Sequence, residues 1–134
     1  MPPSSSTIKK KVLLVDDDQF LLDMYTIKFS KAGYEVKTSD STDNALKYIH
    51  EGYVPDIILS DIVMPDMDGL EFISALRKEE LVPNAIVIML TNQSSSDDIA
   101  RAKKVKVDGY IVKATTIPSE VLTQVEKICA SKKV

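Results

Sequence analysis

Short apolar runs and longer amphipathic stretches alternate along this chain. The apolar runs at 11–15, 34–38, 57–60, 85–90 and 110–112 are bounded by turn-forming or charged residues, a pattern typical of strands. The stretches at 19–32, 40–51, after Gly69, at 97–106 and from Pro118 carry apolar residues mostly three or four positions apart, which predicts helices. The pattern therefore predicts a regular alternation of strand and helix that begins with a strand.

This alternation indicates a parallel sheet with helices on both faces, because parallel strands need long crossover connections and helices supply them. The predicted fold class is α/β, with five parallel strands in the flavodoxin-like order 2-1-3-4-5. The pattern itself does not separate this order from others. The run 85–90 is the most continuously apolar and is predicted to lie centrally in the sheet, away from its edges. The inward face of the first helix is predicted to consist of Phe20, Leu21, Met24 and Ile27.

The length and composition are those of one ordinary globular unit. With 134 residues, 44% of them hydrophobic and 28% charged, the chain is long enough to form its own core. We expect a disordered lead at 1–8 and a single domain at 9–134. A net charge of −3 gives no reason to expect nucleic-acid binding, and no apolar run approaches the roughly 18 residues of a membrane helix. The single cysteine, Cys129, fits a reducing, cytoplasmic compartment.

Reactive side chains follow four of the five predicted strands. Asp16 and Asp17 follow the first strand, Asp61 the third, Thr91 the fourth and Lys113 the fifth. These strand ends share one edge of a parallel sheet, where ligands of open α/β sheets bind. Converging carboxylates repel one another unless a cation neutralises them, and a set of oxygen ligands suits Mg²⁺ or Mn²⁺. Metal, lysine and hydroxyl together would hold a phosphoryl group, and Asp61 is the predicted nucleophile.

Each of these residues also has an ordinary structural interpretation. Acids in a turn are usually solvated, a threonine can simply end a strand, and most lysines face solvent. Only their joint placement at strand ends favours a site. Asp66 and Asp68 are interpreted as turn formers that bring negative charge to the N-terminus of the helix after Gly69. His50, the only histidine, is expected to be exposed and to bind neither metal nor phosphate.

Four motifs resemble the receiver domains of the two-component response-regulator family. They are L-L-V-D-D-D at 13–18, I-L-S-D-I-V-M-P-D-M-D-G at 58–69, M-L-T at 89–91 and D-G-Y-I-V-K at 108–113. The resemblance extends from about residue 11 to residue 129 and implies the flavodoxin-like fold. It also implies a signalling switch that catalyses only its own Mg²⁺-dependent phosphorylation and dephosphorylation, rather than an enzyme with a separate substrate.

The resemblance implies a role for each site residue. Asp61 matches the phospho-acceptor. Asp17 matches a direct Mg²⁺ ligand, Asp16 one that acts largely through water, and the backbone carbonyl of Val63 a further ligand. Thr91 matches the hydroxyl that reaches a phosphoryl oxygen. The two remaining matches are Lys113, the cation that pairs with the phosphoryl group, and Tyr110, the switch aromatic.

The same resemblance implies the partners. A sensor histidine kinase or a histidine phosphotransfer protein would donate the phosphoryl group. A downstream protein would bind the face formed by the fourth helix, the fifth strand and the fifth helix. No direct nucleic-acid or membrane contact is expected, and the chain would be a monomer or a phosphorylation-dependent dimer.

Several departures from the family pattern limit what the resemblance implies, and three rival classes compete with it. Ala114 follows Lys113 where the family usually has proline, so a trans bond, or else a strained cis exception, is expected there. Asn92 replaces a small residue, and Lys106 stands where glycine is usual. A pseudo-receiver is disfavoured by the complete set of acid, threonine and lysine. A phosphatase usually has an aspartate at the position of Val63, and a nucleotide-binding module lacks a glycine-rich loop after the first strand.

Overall fold

The computed structural model describes residues 10–91, 96–112 and 117–132. Strands and helices alternate through this part of the chain. The strands are β1 (Lys11–Val15), β2 (Glu35–Ser39), β3 (Ile57–Asp61), β4 (Ile86–Thr91) and β5 (Gly109–Val112). The helices are α1 (Gln19–Lys31), α2 (Thr42–His50), α3 (Gly69–Lys78), α4 (Ser96–Lys104) and α5 (Pro118–Lys132).

The described strands form one parallel sheet in the order β2-β1-β3-β4-β5. The predicted fold class and strand order are therefore confirmed. The run 85–90 forms β4, which lies inside the sheet between β3 and β5, so the prediction of a central position is also confirmed. All residues of β3 are buried, which places its last residue, Asp61, in the interior at the carboxyl edge of the sheet.

Side chains that alternate along the strands form two cores, one on each face of the sheet. One face packs against α1 and α5, with buried side chains that include Leu14, Leu59 and Leu90 from the strands. The other packs against α2, α3 and α4, with buried side chains that include Leu13, Ile58 and Met89. This two-layer covering explains why β1, β3 and β4 are apolar at nearly every position.

The inward face of α1 differs from the predicted one. Phe20 and Ile27 are 70% and 55% exposed, whereas Leu22, Tyr25 and Phe29 are buried. Apolar residues lie on two sides of this helix, so the spacing alone fits either side as the buried face. The buried stripe contains two large aromatic rings, those of Tyr25 and Phe29, and it covers more of the sheet than the other stripe, which contains one, would.

Helix α4 is held weakly in the core. Of its side chains within the described residues, only Ala102 is buried, as its thin apolar pattern predicts. The helix ends in a Schellman motif, in which the Lys106 N–H donates to the Lys103 carbonyl and the Val107 N–H to the Ala102 carbonyl. Lys106 occupies the left-handed position at φ 60°, where glycine is usual because it has no Cβ.

Replacing Lys106 by glycine is expected to raise the free energy of unfolding by about 0.5–1 kcal/mol, because it relieves the left-handed strain. Urea unfolding measures the change. Lys104→Gly is the matched control: the same residue change at the last helical position should lower the unfolding free energy by about 0.5–1 kcal/mol. A lower stability in Lys106→Gly would show that this position is not strained.

The described residues do not test the predicted division of the chain into a lead and a domain. The predicted lead at 1–8 lies outside the described residues, and the single domain at 9–134 stays a prediction. Within the described ranges, no helix has the length and apolar character needed to cross a membrane.

Candidate functional site

Three carboxylates meet at the carboxyl edge of the sheet. One oxygen each of Asp16, Asp17 and Asp61 lies within 4.8 Å of the others. Asp16 is 1% exposed and Asp61 3% exposed, while Asp17 is exposed. The strand register brings these carboxylates together, because Val15 of β1 lies opposite Ser60 of β3. An aspartate follows each of these two residues in the sequence.

The three consecutive acids after β1 have three different environments. Asp16 is buried, and its side chain accepts a hydrogen bond from the Asp18 N–H at 2.9 Å. Asp18 is the N-cap of α1, where its carboxylate accepts from the N–H groups of Phe20 and Leu21. Asp17 lies between them and faces solvent. The sequence pattern missed the capping role of Asp18, although an aspartate directly before a helix is its usual signal.

Gly69 packs directly against the backbone of Asp61. Its N–H donates to the Ile62 carbonyl at 2.7 Å, and a Cβ on Gly69 would lie 2.0 Å from the Asp61 carbonyl oxygen. Only a residue without a side chain allows this approach. Gly69 therefore positions the backbone that carries the candidate nucleophile, a role that the sequence analysis missed. The sequence signal for this role is that glycine, which is unfavourable in helices, occupies the first helical position.

The loop between β3 and α3 is also held by α2. The Thr42 hydroxyl donates to the Met67 carbonyl, and the Asp43 N–H donates to the Asp66 carboxylate at 2.9 Å. Burial alone would raise the pKa of Asp66, but the hydrogen bonds from Asp43 and Thr42 outweigh it and lower that pKa. The prediction that Asp66 serves the helix after Gly69 is therefore wrong, because its carboxylate serves the N-terminus of α2.

Asp68, at the end of the same loop, is the N-cap of α3, which agrees with the prediction that it brings negative charge to the N-terminus of this helix. It forms a capping box with Glu71. Its second oxygen accepts a hydrogen bond from Arg101 of α4 at 2.6 Å, and Arg101 also lies 3.5 Å from Asp98. The bond to Asp68 raises the pKa of Arg101. This pair connects α4, the weakly packed helix, to the loop that begins at the candidate nucleophile.

Thr91 and Tyr110 lie on the same face of the sheet. Thr91 ends β4 and is 3% exposed. Tyr110 lies opposite Met89, and Met89 is two residues before Thr91 on the same strand. Because side chains alternate along a strand, those of Thr91 and Tyr110 both point towards the core under α4. The Tyr110 hydroxyl is buried and has no hydrogen-bond partner within the described residues. Burial raises the Tyr110 pKa, and the charge of Asp98 raises it further.

Other predicted residues are placed as follows. Val63 lies in the loop after β3 with 69% of its surface exposed, and His50 is exposed and pairs with Glu79 at 2.8 Å. Lys113, Ala114 and Asn92 lie outside the described residues, so the expected cation, the expected trans bond and the departure after Thr91 stay predictions.

The residues present fit a divalent cation. The cluster offers only carboxylate oxygens, which Mg²⁺ and Mn²⁺ prefer over nitrogen or sulfur. Two of its three carboxylates are almost fully buried, so their mutual repulsion is poorly screened without a positive charge. An exposed third carboxylate leaves the cluster open to solvent, where water can complete the coordination.

A parallel α/β sheet of this order, with clustered carboxylates at its carboxyl edge and a threonine ending the next strand, defines a receiver-type signalling domain. The chain belongs to that family: it matches the profile described as Response regulator receiver domain over residues 12–126. The resemblance seen in the motifs is therefore confirmed.

Individual relatives support the assignment. The chain is 30% identical to the phosphate regulon transcriptional regulatory protein PhoB of Pseudomonas aeruginosa, over 90% of this chain and 52% of that protein. It is 31% identical to the alkaline phosphatase synthesis transcriptional regulatory protein PhoP of Bacillus subtilis, over 90% and 49%. The chain thus spans about half the length of these curated relatives. Among solved structures, the chemotaxis response regulator CheY4 of Vibrio cholerae is 31% identical, with a TM-score of 0.82 over 90% of this chain and 99% of that one.

Proposed function

We propose that Asp61 accepts a phosphoryl group from a phosphohistidine and that this chain is a phosphorylation-controlled switch. The observation that carries the proposal is the meeting of Asp16, Asp17 and Asp61 within 4.8 Å at the carboxyl edge of the sheet. Receiver domains of response regulators are phosphorylated by histidine kinases. The donor here would be a sensor histidine kinase or a histidine phosphotransfer protein.

The reaction forms a P–O bond and breaks a P–N bond. A carboxylate oxygen of Asp61 attacks the phosphorus, the P–N bond to the donor imidazole breaks, and the imidazole leaves with the electron pair and takes up a proton. Hydrolysis later returns Asp61 and inorganic phosphate when water attacks the same phosphorus. Burial of Asp61 in β3 fixes the attacking oxygen, so little orientational freedom is lost in the transition state.

Asp16 and Asp17, with the backbone carbonyl of Val63, would hold the Mg²⁺ or Mn²⁺. When bound, the cation supplies positive charge that offsets the carboxylates and the oxygens of the incoming phosphoryl group. Asp16 is oriented by the bond from the Asp18 N–H, and exposed Asp17 can move to meet the ion. Lys113 would add a second positive charge.

The switch would work through Thr91, Tyr110 and α4. The Thr91 hydroxyl would donate to a phosphoryl oxygen, and Tyr110, on the same sheet face, would respond to its movement. Helix α4 buries a single described side chain, Ala102, so its displacement costs less core contact than that of a fully packed helix. A movement of the β3–α3 loop would be transmitted directly to α4 through the Asp68–Arg101 ion pair.

A direct test is incubation with Mg²⁺ and a small acyl-phosphate donor, followed by intact mass spectrometry. The expected result is the addition of one phosphoryl group, with none added when a chelator removes the metal. A protein that gains no phosphate under conditions that label an unrelated receiver domain would refute the proposal.

Asp17→Asn is expected to weaken Mg²⁺ binding by about 10–100-fold, because one oxygen ligand loses its charge. The measurement is the rise in unfolding temperature with added Mg²⁺, which tracks metal occupancy. Asp18→Asn is the matched control one position on, since asparagine also caps helices and should leave the metal response intact. An equal loss in both variants would mean that Asp17 is not a ligand.

Two surface features beside the site support the proposed partners. Phe20 and Val63, both exposed and apolar, follow the acidic loop and β3, where an incoming donor protein would contact them. A depression of about 360 Å³ lies on the α4–β5–α5 face and is lined by Gly109, Tyr110 and residues of α5. A downstream protein would bind there.

The proposed setting is cytoplasmic, with the chain acting as a monomer or as a phosphorylation-dependent dimer. The domain itself would not bind nucleic acid, because its net charge is −3. It would act on no substrate beyond its own phosphorylation and dephosphorylation.

A further inference from the structure

A basic groove runs between α3 and α4. Two adjoining cavities, of about 210 Å³ and 430 Å³, share Ser74, Lys104 and Val105 as lining residues. Together they make one continuous depression. None of its lining residues belongs to the acidic site or to the depression on the α4–β5–α5 face.

Cations dominate the walls of this groove. Arg77, Lys78, Arg101, Lys104 and Lys106 line it. Glu71, the only acid among the lining residues, is occupied by the capping box with Asp68. The two arginines already have partners, whereas the ammonium groups of the three lysines form no ion pair within the described residues. Three lysine charges without an ion-pair partner among the described residues thus line one groove of a chain whose net charge is negative.

The groove is preformed rather than assembled on binding. Arg77 of α3 donates to the Val105 carbonyl at 3.2 Å and to the Lys106 carbonyl at 2.8 Å, which joins the ends of the two helices. Arg101 joins the start of α3 to α4 through Asp68. Walls held at both ends need little further ordering when a ligand binds.

We infer that this groove binds an acidic segment of a protein partner, one that also carries an aliphatic side chain. Carboxylates would pair with Lys78, Lys104 and Lys106, and the aliphatic group would contact the partly exposed Val105 between them. Nucleic acid fits less well, because exposed acids Glu79 and Glu80 follow Lys78 and exposed Asp97 lies at the start of α4. A longer polyanion would meet these carboxylates, whereas a short segment would not.

The test uses the unphosphorylated protein, so its outcome is independent of the proposed phosphorylation. The probe is a labelled, blocked peptide with the repeat Glu-Glu-Leu, compared with the repeat Gln-Gln-Leu. Fluorescence anisotropy gives the affinity, and amide chemical shifts locate the binding site. We expect the acidic peptide to bind with shifts confined to α3 and α4, and to weaken as salt is added.

Matched charge reversals decide the location. Lys78→Glu with Lys104→Glu should weaken binding by about tenfold or more. Lys28→Glu with Lys31→Glu, at the exposed end of α1, makes the same change in net charge and should alter affinity by less than about twofold. Equal losses in the two variants, shifts mapped elsewhere, equal binding of the Gln-Gln-Leu peptide, or tighter binding of a single-stranded oligonucleotide would each overturn the inference.

Discussion

Replacing Asp61 by asparagine is expected to abolish phosphorylation and, in metal-free solution, to raise the free energy of unfolding. Asparagine keeps the shape of the side chain but lacks the anionic oxygen that attacks phosphorus. It also removes one of three carboxylates whose oxygens lie within 4.8 Å of each other. Relief of the repulsion between these carboxylates should stabilise the fold by about 1–2 kcal/mol.

The two halves of this expectation need separate measurements. Intact mass after incubation with Mg²⁺ and the acyl-phosphate donor gives phosphorylation, and urea unfolding in the presence of a chelator gives stability. Asp23→Asn, an exposed aspartate of α1, is the control and should change neither. Added Mg²⁺ should reduce the stability difference, because the wild-type protein gains binding free energy that the variant partly lacks. Persistent labelling of Asp61→Asn would place the phospho-acceptor elsewhere.

This opposition of function and stability is built into the chain. We expect carboxylates that converge at the ends of neighbouring buried strands to lower stability when no cation is bound, because their charges repel one another. The sequence predicts the cluster because buried parallel strands read as apolar runs, so the first acid after each run marks the carboxyl edge of the sheet. This rule identifies Asp16 after the run that ends at Val15 and Asp61 after the run that ends at Ser60.

Contacts between distant segments could not be predicted in the same way. The bond from Thr42 to Met67 and the bond from Asp43 to Asp66 join residues that neither period nor spacing relates. Helix α1 shows a second limit: Phe20 and Ile27 fit a helical stripe, but so do Leu22 and Phe29, and only packing against the sheet selects the latter. The close approach of Gly69 to β3 likewise depends on the path of the loop.

Gly69→Ala is expected to damage both the fold and the site. The added Cβ would lie 2.0 Å from the Asp61 carbonyl oxygen, 2.9 Å from its carbonyl carbon and 2.9 Å from Met89 Cε. The first two are backbone atoms of a buried strand that cannot turn away as a side chain can. Either β3 or the start of α3 must move, and such overpacking should lower the free energy of unfolding by about 2–4 kcal/mol.

Movement of the Asp61 backbone should also slow phosphorylation, because an error of about 1 Å in the position of a reacting group can cost about a hundredfold in rate. The rate is measured with the acyl-phosphate donor at a temperature where urea unfolding shows the variant to be folded. Gly109→Ala is the matched control: its Cβ would lie 2.4 Å from Ile128 Cδ1 and 3.1 Å from Cγ1 and Cγ2 of the same residue, which are side-chain atoms that can shift, unlike the backbone of a buried strand. A small stability loss and an unchanged rate are expected there. If Gly69→Ala behaved like Gly109→Ala, the close contact with Asp61 would not position the nucleophile.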